Sequence, residues 1–172
     1  MKYGIYYAYW EKEWNGDYKY YIDKISKLGF DILEISCGAF SDYYTKDQEL
    51  IDIGKYAKEK GVTLTAGYGP HFNESLSSSE PNTQKQAISF WKETLRKLKL
   101  MDIHIVGGAL YGYWPVDYSK PFDKKRDLEN SIKNMKIISQ YAEEYDIMMG
   151  MEVLNRFEGY MLNTCDEALA YV

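Results

Sequence analysis

The alternation of short β-rich runs with longer amphipathic runs constrains the fold of this chain more than any other feature. The predicted strands cover residues 3–9, 31–36, 62–67, 103–107 and 147–154. The predicted helices cover residues 17–28, 47–60, 82–100 and 124–145, and a fifth helix begins near Thr164. This order predicts a parallel sheet covered by helices.

The predicted loops are long only where they follow strands, at residues 69–81, 108–122 and 155–163. Long loops at the carboxyl ends of the strands are typical of a (β/α)₈ barrel, whose active site lies on that side. A five-stranded doubly wound sheet would suit the length better, but no GxGxxG or P-loop motif follows the first strand.

One βα unit occupies about 36 residues here, so eight units need about 290 residues. The chain has 172. We therefore expect an α/β fold in which residues 1–172 form a single, incomplete TIM-barrel domain. It contains the first five βα units and ends within the fifth helix. We also expect Ile5, Ile35 and Val106 to lie on the concave face of the sheet.

Composition excludes several classes of protein. A net charge of −5 argues against nucleic acid as a partner, because such proteins need a basic surface. No apolar run has the length of a membrane span, and the first residues lack the apolar core of a signal peptide. Two histidines, His71 and His104, are too few for a histidine-rich metal cluster. We expect a soluble, cytoplasmic protein.

Three carboxylates are candidates for chemistry. Glu152 lies near the end of the apolar fifth strand, where a buried charge requires a partner such as a metal ion or an arginine. The alternative is a structural salt bridge, for example to Arg156. Glu158 lies in the following loop and could equally be a solvated acid. Glu34 lies in the second strand, where it could instead bond a neighbouring strand.

Glycine and tryptophan mark the same ends of the strands. Gly67 and Gly108 would let a ligand approach the backbone closely. Trp14 and Trp114 follow the first and fourth strands. Their indole faces suit the C–H faces of a sugar, but tryptophans also pack beneath long loops.

Five segments carry a resemblance to a known family. They are GIYYAYWEKEW at 4–14, KLGFDILEIS at 27–36, LTAGYGP at 64–70, DIHIVGGALYGYWPVDY at 102–118 and MEVLNRFEGYMLNT at 151–164. Together they resemble the D-tagatose 3-epimerase family, which includes the D-psicose 3-epimerases. The resemblance implies a metal-dependent (β/α)₈ barrel that inverts C3 of free ketohexoses, such as D-fructose and D-psicose or D-tagatose and D-sorbose.

The resemblance also implies residue roles. Glu152 would be a metal ligand and one of two acid/base carboxylates, and Glu158 would bond the substrate near O1 to O3. The residues that would line the pocket for the far end of the sugar are Tyr6, Trp14, Gly67, Ala109 and Trp114. The cofactor would be Mn²⁺, Co²⁺ or Mg²⁺, acting as a Lewis acid on an enediolate.

This sequence departs from the family's pattern, because the remaining metal ligands and the second glutamate come from later strands. The resemblance implies a homodimer or homotetramer for the full-length form, and we expect the 172-residue chain alone to be inactive. The alternatives are an inosose or hydroxypyruvate isomerase of the same superfamily and a non-catalytic fragment.

Overall fold

The computed structural model describes residues 1–14 and 16–172, without the side chains of residues 41 and 42. The strands are β1 (Gly4–Tyr6), β2 (Ile32–Ser36), β3 (Thr63–Tyr68), β4 (Ile105–Gly108) and β5 (Met148–Met151). The helices are α1 (Tyr18–Leu28), α2 (Ala39–Asp42), α3 (Asp47–Glu59), α4 (Pro81–Leu100), α5 (Lys124–Glu144) and α6 (Cys165–Tyr171).

The five strands form one sheet in the order β1-β2-β3-β4-β5. The pairs β1–β2 and β2–β3 are parallel, and their register places Tyr6 beside Glu34 and Ser36 beside Gly67. The predicted parallel arrangement of the first βα units of a TIM barrel is therefore confirmed. By contacts, the described chain divides into two compact units, Met1–Gly67 with Thr94–Val106 and Tyr68–Glu93 with Gly107–Val172.

In the first unit, the two faces of the sheet differ in burial. One face carries fully buried apolar residues, Leu33 and Ile35 among them, and α1 packs on β2. The other face carries Tyr6, Glu34 and Thr65, all partly exposed. The alternation of side chains along a strand separates these two sets.

The expectation that Ile5, Ile35 and Val106 lie on the concave face is wrong. Ile5 lies beside the buried Leu33 in the register, on the buried face of the sheet. Ile35 and Val106 also point to the buried face. Both have 0% exposure, whereas Ile105 beside Val106 is 47% exposed. A strand turns successive side chains to opposite faces, so the pattern of buried residues sets which set meets the helices. Sequence alone did not distinguish them, since both sets contain β-branched residues.

In the first unit, residues next to α1 in the sequence fix the two ends of that helix. Asp17 begins α1, and its carboxylate accepts hydrogen bonds from the backbone N–H groups of Lys19 and Tyr20. Gly29 ends α1 with φ of 83°, a left-handed conformation that glycine adopts without strain. The predicted bounds of this helix are confirmed to within one residue.

The second unit has an apolar cluster of buried residues, namely Ala109, Tyr111, Leu154, Met161 and Leu162. Side-chain hydrogen bonds tie α5 to the loops around it. Ser131 donates to the carbonyl oxygen of Tyr111 at 2.5 Å, and Asn134 donates to the carbonyl oxygen of Leu76 at 2.8 Å. These contacts hold the loops that follow β3 and β4 against one helix.

Two predicted strands are shorter in the structure. Residues after Tyr6 form a 3₁₀ turn, Tyr7–Trp10, because the fully buried Tyr7 packs edge-on against Tyr18 of α1. Strand β5 ends at Met151, and in the loop that follows the N–H of Leu154 donates to the carbonyl oxygen of Leu162 at 3.0 Å. None of the helices in the described ranges combines the length and apolar character that a membrane crossing requires.

Candidate active site

Glu152 is the residue directly after β5. Its backbone is fixed at both ends: the N–H donates to the carbonyl oxygen of Gly108 at 3.0 Å, and its carbonyl oxygen accepts from the Tyr111 hydroxyl at 3.0 Å. The residue is exposed. The expectation that it is buried inside the strand is therefore wrong, because the strand ends one residue earlier. Glu152 thus presents its side chain from a fixed backbone, and solvent reaches it.

Tyr111 is the residue whose side chain hydrogen-bonds to the backbone of Glu152. Its side chain is buried in the apolar cluster, and burial together with the Glu152 charge raises its pKa above the ordinary value for tyrosine. The hydroxyl therefore stays protonated and donates at any working pH. The sequence contained no signal for this role, since Tyr111 is one of 18 tyrosines.

The loop after β5 is ordered by asparagine side chains. The Oδ1 atom of Asn155 accepts from the N–H groups of Phe157 at 2.9 Å and Glu158 at 3.2 Å, which is a side-chain-capped turn. Asn163 donates to the carbonyl oxygens of Leu154 and Gly159. The backbone of Glu158 is thus fixed, while its side chain is exposed to solvent.

Ala109 and Trp114 belong to the same part of the second unit. Ala109 is a member of the apolar cluster, and Trp114 packs partly buried against it. The N–H of Trp114 donates to the carbonyl oxygen of Pro70 at 2.8 Å. A Cβ on Gly69 would lie 3.0 Å from the Trp114 Cβ, so the loop after β3 approaches this tryptophan closely.

Gly108 has a structural reason to be glycine. Its φ is +129°, and a Cβ would lie 2.1 Å from the carbonyl oxygen of Tyr68. No side chain fits there. Close approach of a ligand was expected at this strand end, where the structure shows close approach of a neighbouring backbone.

The first unit brings together Tyr6, Trp14 and Gly67. The rings of Tyr6 and Trp14 are tilted, with centroids 6.4 Å apart, and Trp14 is 60% exposed. Gly67 faces Glu34, since a Cβ on Gly67 would lie 2.8 Å from the Glu34 Oε1 atom. These residues form an aromatic and acidic surface at the carboxyl ends of β1, β2 and β3.

Electrostatics at this surface keep Tyr6 protonated. Burial is the main cause that raises the pKa of Tyr6 to about 12; a hydrogen bond with Ser36 acts against it, and the nearby Glu34 charge adds to it. Tyr6 is therefore a hydrogen-bond donor at neutral pH. Ser36 is a polar residue of this surface that the sequence did not mark as a candidate. The alternation of β2 places it two residues beyond Glu34 on the same face.

The described residues do not assemble a metal site by themselves. Within residues 1–14 and 16–172, no group of three or more His, Cys, Asp or Glu side chains could hold a metal ion. His104 pairs with Asp102, with 3.2 Å between Nε2 and Oδ1. Because a hard divalent ion takes about six donors, Glu152 alone does not fit one.

Comparison with known proteins gives the family. The model of the family described as xylose isomerase-like TIM barrel matches residues 22–172. A D-psicose 3-epimerase of Enterocloster bolteae is 57% identical over all 172 residues, and the chain covers 57% of its length. A D-psicose 3-epimerase of Ruminiclostridium cellulolyticum is 46% identical, with 58% of its length covered.

Solved structures agree with the sequence comparison. The D-psicose 3-epimerase of Clostridium cellulolyticum H10, crystallised with D-tagatose, superposes with a TM-score of 0.96 at 46% identity. That match covers 99% of this chain and 58% of the solved one. This chain therefore belongs to the xylose isomerase-like TIM barrel family.

Proposed function

We propose that this chain carries part of the active site of a ketose 3-epimerase, which inverts C3 of free ketohexoses. The observation that carries the proposal is Glu152, a solvent-accessible carboxylate on a fixed backbone at the carboxyl end of a barrel strand. That edge is where the barrels of this architecture place their catalytic groups. The identity to two D-psicose 3-epimerases supports D-fructose and D-psicose as the substrate pair.

The chemical step is proton transfer next to a carbonyl group. Glu152 removes the C3 proton on one face of the sugar, or returns it. A positioned carboxylate is suited to this role. Inversion needs a second acid/base group on the opposite face, and the resemblance assigns that role to no residue of this sequence.

Substrate binding is the proposed role of six further residues. Glu158 bonds the reacting end of the sugar. The pocket for the far end is lined by Tyr6, Trp14, Ala109 and Trp114, and Gly67 lies at the same pocket. Aromatic rings such as those of Tyr6 and Trp14 give the apolar faces that a sugar requires, and the protonated Tyr6 hydroxyl supplies a donor.

A divalent ion, Mn²⁺, Co²⁺ or Mg²⁺, is a further part of the proposal. Glu152 would be one ligand, and the resemblance assigns the other protein ligands to later strands than those of this sequence. We expect the 172-residue chain alone to bind Mn²⁺ no better than its Glu152→Gln variant does, as measured by titration calorimetry.

The test joins this chain to the part of the Enterocloster bolteae enzyme that the chain does not match. This chimera should convert D-fructose to D-psicose with added Mn²⁺, and its Glu152→Gln variant should not. Glu59 lies exposed on α3, so Glu59→Gln is the matched control and should keep full activity. An inactive chimera that folds would contradict the proposal.

A further inference from the structure

Glu34 is a partly buried carboxylate that the proposed function has not used. It lies in the middle of β2, directly beside Tyr6 of β1 and Thr65 of β3 in the parallel register. Its side chain lies on the less buried face of the sheet, opposite the buried Leu33 and Ile35. Glu34 already takes part in a polar interaction within the fold. An ionised carboxylate has about four acceptor sites, so it can accept further hydrogen bonds from a ligand.

The Glu34 carboxylate extends along the strand toward Gly67. A Cβ on Gly67 would lie 2.8 Å from the Oε1 atom of Glu34 and 3.3 Å from its Cδ atom. Real Cβ atoms essentially never come within 3.0 Å of another heavy atom. The observed position of the carboxylate therefore depends on the absence of a side chain at Gly67.

The surroundings of Glu34 suit a polyhydroxy ligand. The Tyr6 ring, itself 6.4 Å from the ring of Trp14, supplies an aromatic surface on the adjacent strand. The Tyr6 hydroxyl, which Ser36 hydrogen-bonds, supplies a donor, and its raised pKa is consistent with a nearby negative charge. A carboxylate adds the acceptor, and hydrogen bonds from hydroxyl groups to an ionised acceptor are among the stronger ones.

We infer that Glu34 accepts hydrogen bonds from hydroxyl groups at the far end of the open-chain ketose, and that Gly67 acts on sugar binding through Glu34. The inference rests on the proposed function. It differs from direct lining of the pocket by Gly67, because the space that a side chain at position 67 would take is occupied by the Glu34 carboxylate.

The first experiment measures KM and kcat for D-psicose in the chimera. Glu34→Ala should raise KM about 10-fold or more, since a hydrogen bond to a charged group is lost. Its effect on kcat should be smaller, because the far hydroxyls are held alike before and during the reaction. Glu34→Gln, which keeps an acceptor but not the charge, should lie between. The control Glu59→Ala removes an exposed charge on α3 and should change neither constant.

The second experiment is a double-mutant cycle between positions 34 and 67. Gly67→Ala should raise KM when Glu34 is present and should add nothing when Glu34→Ala has already cleared the space. The same coupling should appear in the unfolding of the chimera by urea. That measurement needs no substrate and also shows whether each variant folds.

The possible results distinguish a failure of the inference about Glu34 from a failure of the proposed function. An equal rise in KM from Gly67→Ala in both backgrounds would mean that the sugar meets position 67 directly, and would overturn the inference. Unchanged KM in Glu34→Ala would do the same while leaving the epimerase proposal intact. A folded chimera with wild-type residues and no turnover would instead refute the proposed function, and the inference with it.

Discussion

At the scale of single residues, the backbone of Glu152 is placed by a group that no motif marks. The hydroxyl of Tyr111 donates to the Glu152 carbonyl oxygen, and Ser131 holds the Tyr111 carbonyl oxygen in turn. A general base must lie within hydrogen-bonding distance of the proton that it removes, so a shift of this backbone should slow the reaction.

Tyr111→Phe tests this support. Losing one hydrogen bond costs about 1 kcal/mol, which corresponds to roughly a 5-fold fall in rate when it is expressed in catalysis. We expect kcat of the chimera to fall by about that factor, with KM little changed. The exposed Tyr9 offers the control Tyr9→Phe, which should match the wild type. Equal kcat in both variants would show that the Tyr111 hydroxyl does not position Glu152.

The sequence predicts which carboxylates are candidates for chemistry, but it does not predict the exposure of Glu152. It identified Glu34 and Glu152 as carboxylates within strands, and Glu158 as a carboxylate in the loop after the fifth strand. It did not predict that Glu152 is exposed, because the apolar run 147–154 predicts a strand that continues past Glu152, whereas β5 ends at Met151.

At the scale of elements, the helices were predicted well because their ends carry local signals. Asp17 and Gly29 bracket α1, and Thr164 begins α6 by accepting from the N–H of Glu167. The short α2 was missed, since Gly38 before it makes no side-chain cap and four residues are too few for an amphipathic pattern. The sequence therefore indicates the end of a helix where a capping side chain or a left-handed glycine fixes it.

Asp17→Ala should destabilise α1. The variant removes the acceptor of two backbone N–H groups, and the loss of such a cap costs about 1 kcal/mol. Urea unfolding of the chimera followed by circular dichroism measures the difference. Asp17→Asn keeps a capping oxygen and should recover most of the stability. If both variants lose the same amount, the charge or another contact of Asp17 matters rather than the cap.

Glu167 should make the start of α6 sensitive to acid. Its carboxylate pairs with Lys124 and accepts from the N–H of Asn163, and these contacts lower its pKa below the usual value of 4.5. A lowered folded-state pKa stabilises the fold above the unfolded pKa, and that stabilisation is lost as pH falls through the folded value.

The measurement is the difference in urea midpoint between the wild type and Glu167→Gln. The difference should be present at pH 7 and should shrink below about pH 4.5. It should be modest, because both side chains of the Lys124–Glu167 pair are about one-third exposed. A difference that does not change between pH 7 and pH 3 would mean that the charge of Glu167 contributes nothing.

At the scale of the whole molecule, the two outer strands of the sheet are the segments most prone to association with another chain. Strands β1 and β5 are these outer strands, and an outer strand is a template for pairing with another chain. Met148 of β5 is 69% exposed. A groove of about 460 Å³ beside β5 is lined by apolar side chains that include Met135, Ile147 and Met149.

We therefore predict that the 172-residue chain, expressed alone, is oligomeric or poorly soluble and does not convert D-fructose with added Mn²⁺. Sedimentation velocity measures the first property. Met148→Lys places a charge on the outer strand and should shift the distribution toward monomer. A soluble wild-type monomer that epimerises a ketose would contradict this account of the isolated chain.

The most direct test of the central claim follows the C3 proton. The chimera is incubated with D-fructose and Mn²⁺ in D₂O, and the D-psicose formed is analysed by NMR. We predict deuterium at C3 of the product, because carboxylates exchange protons with solvent between removing one and returning another. Glu152→Gln should give no D-psicose, because inversion needs both proton-transfer groups. D-Psicose that forms without deuterium at C3, or forms at an undiminished rate in Glu152→Gln, would contradict the assignment of Glu152.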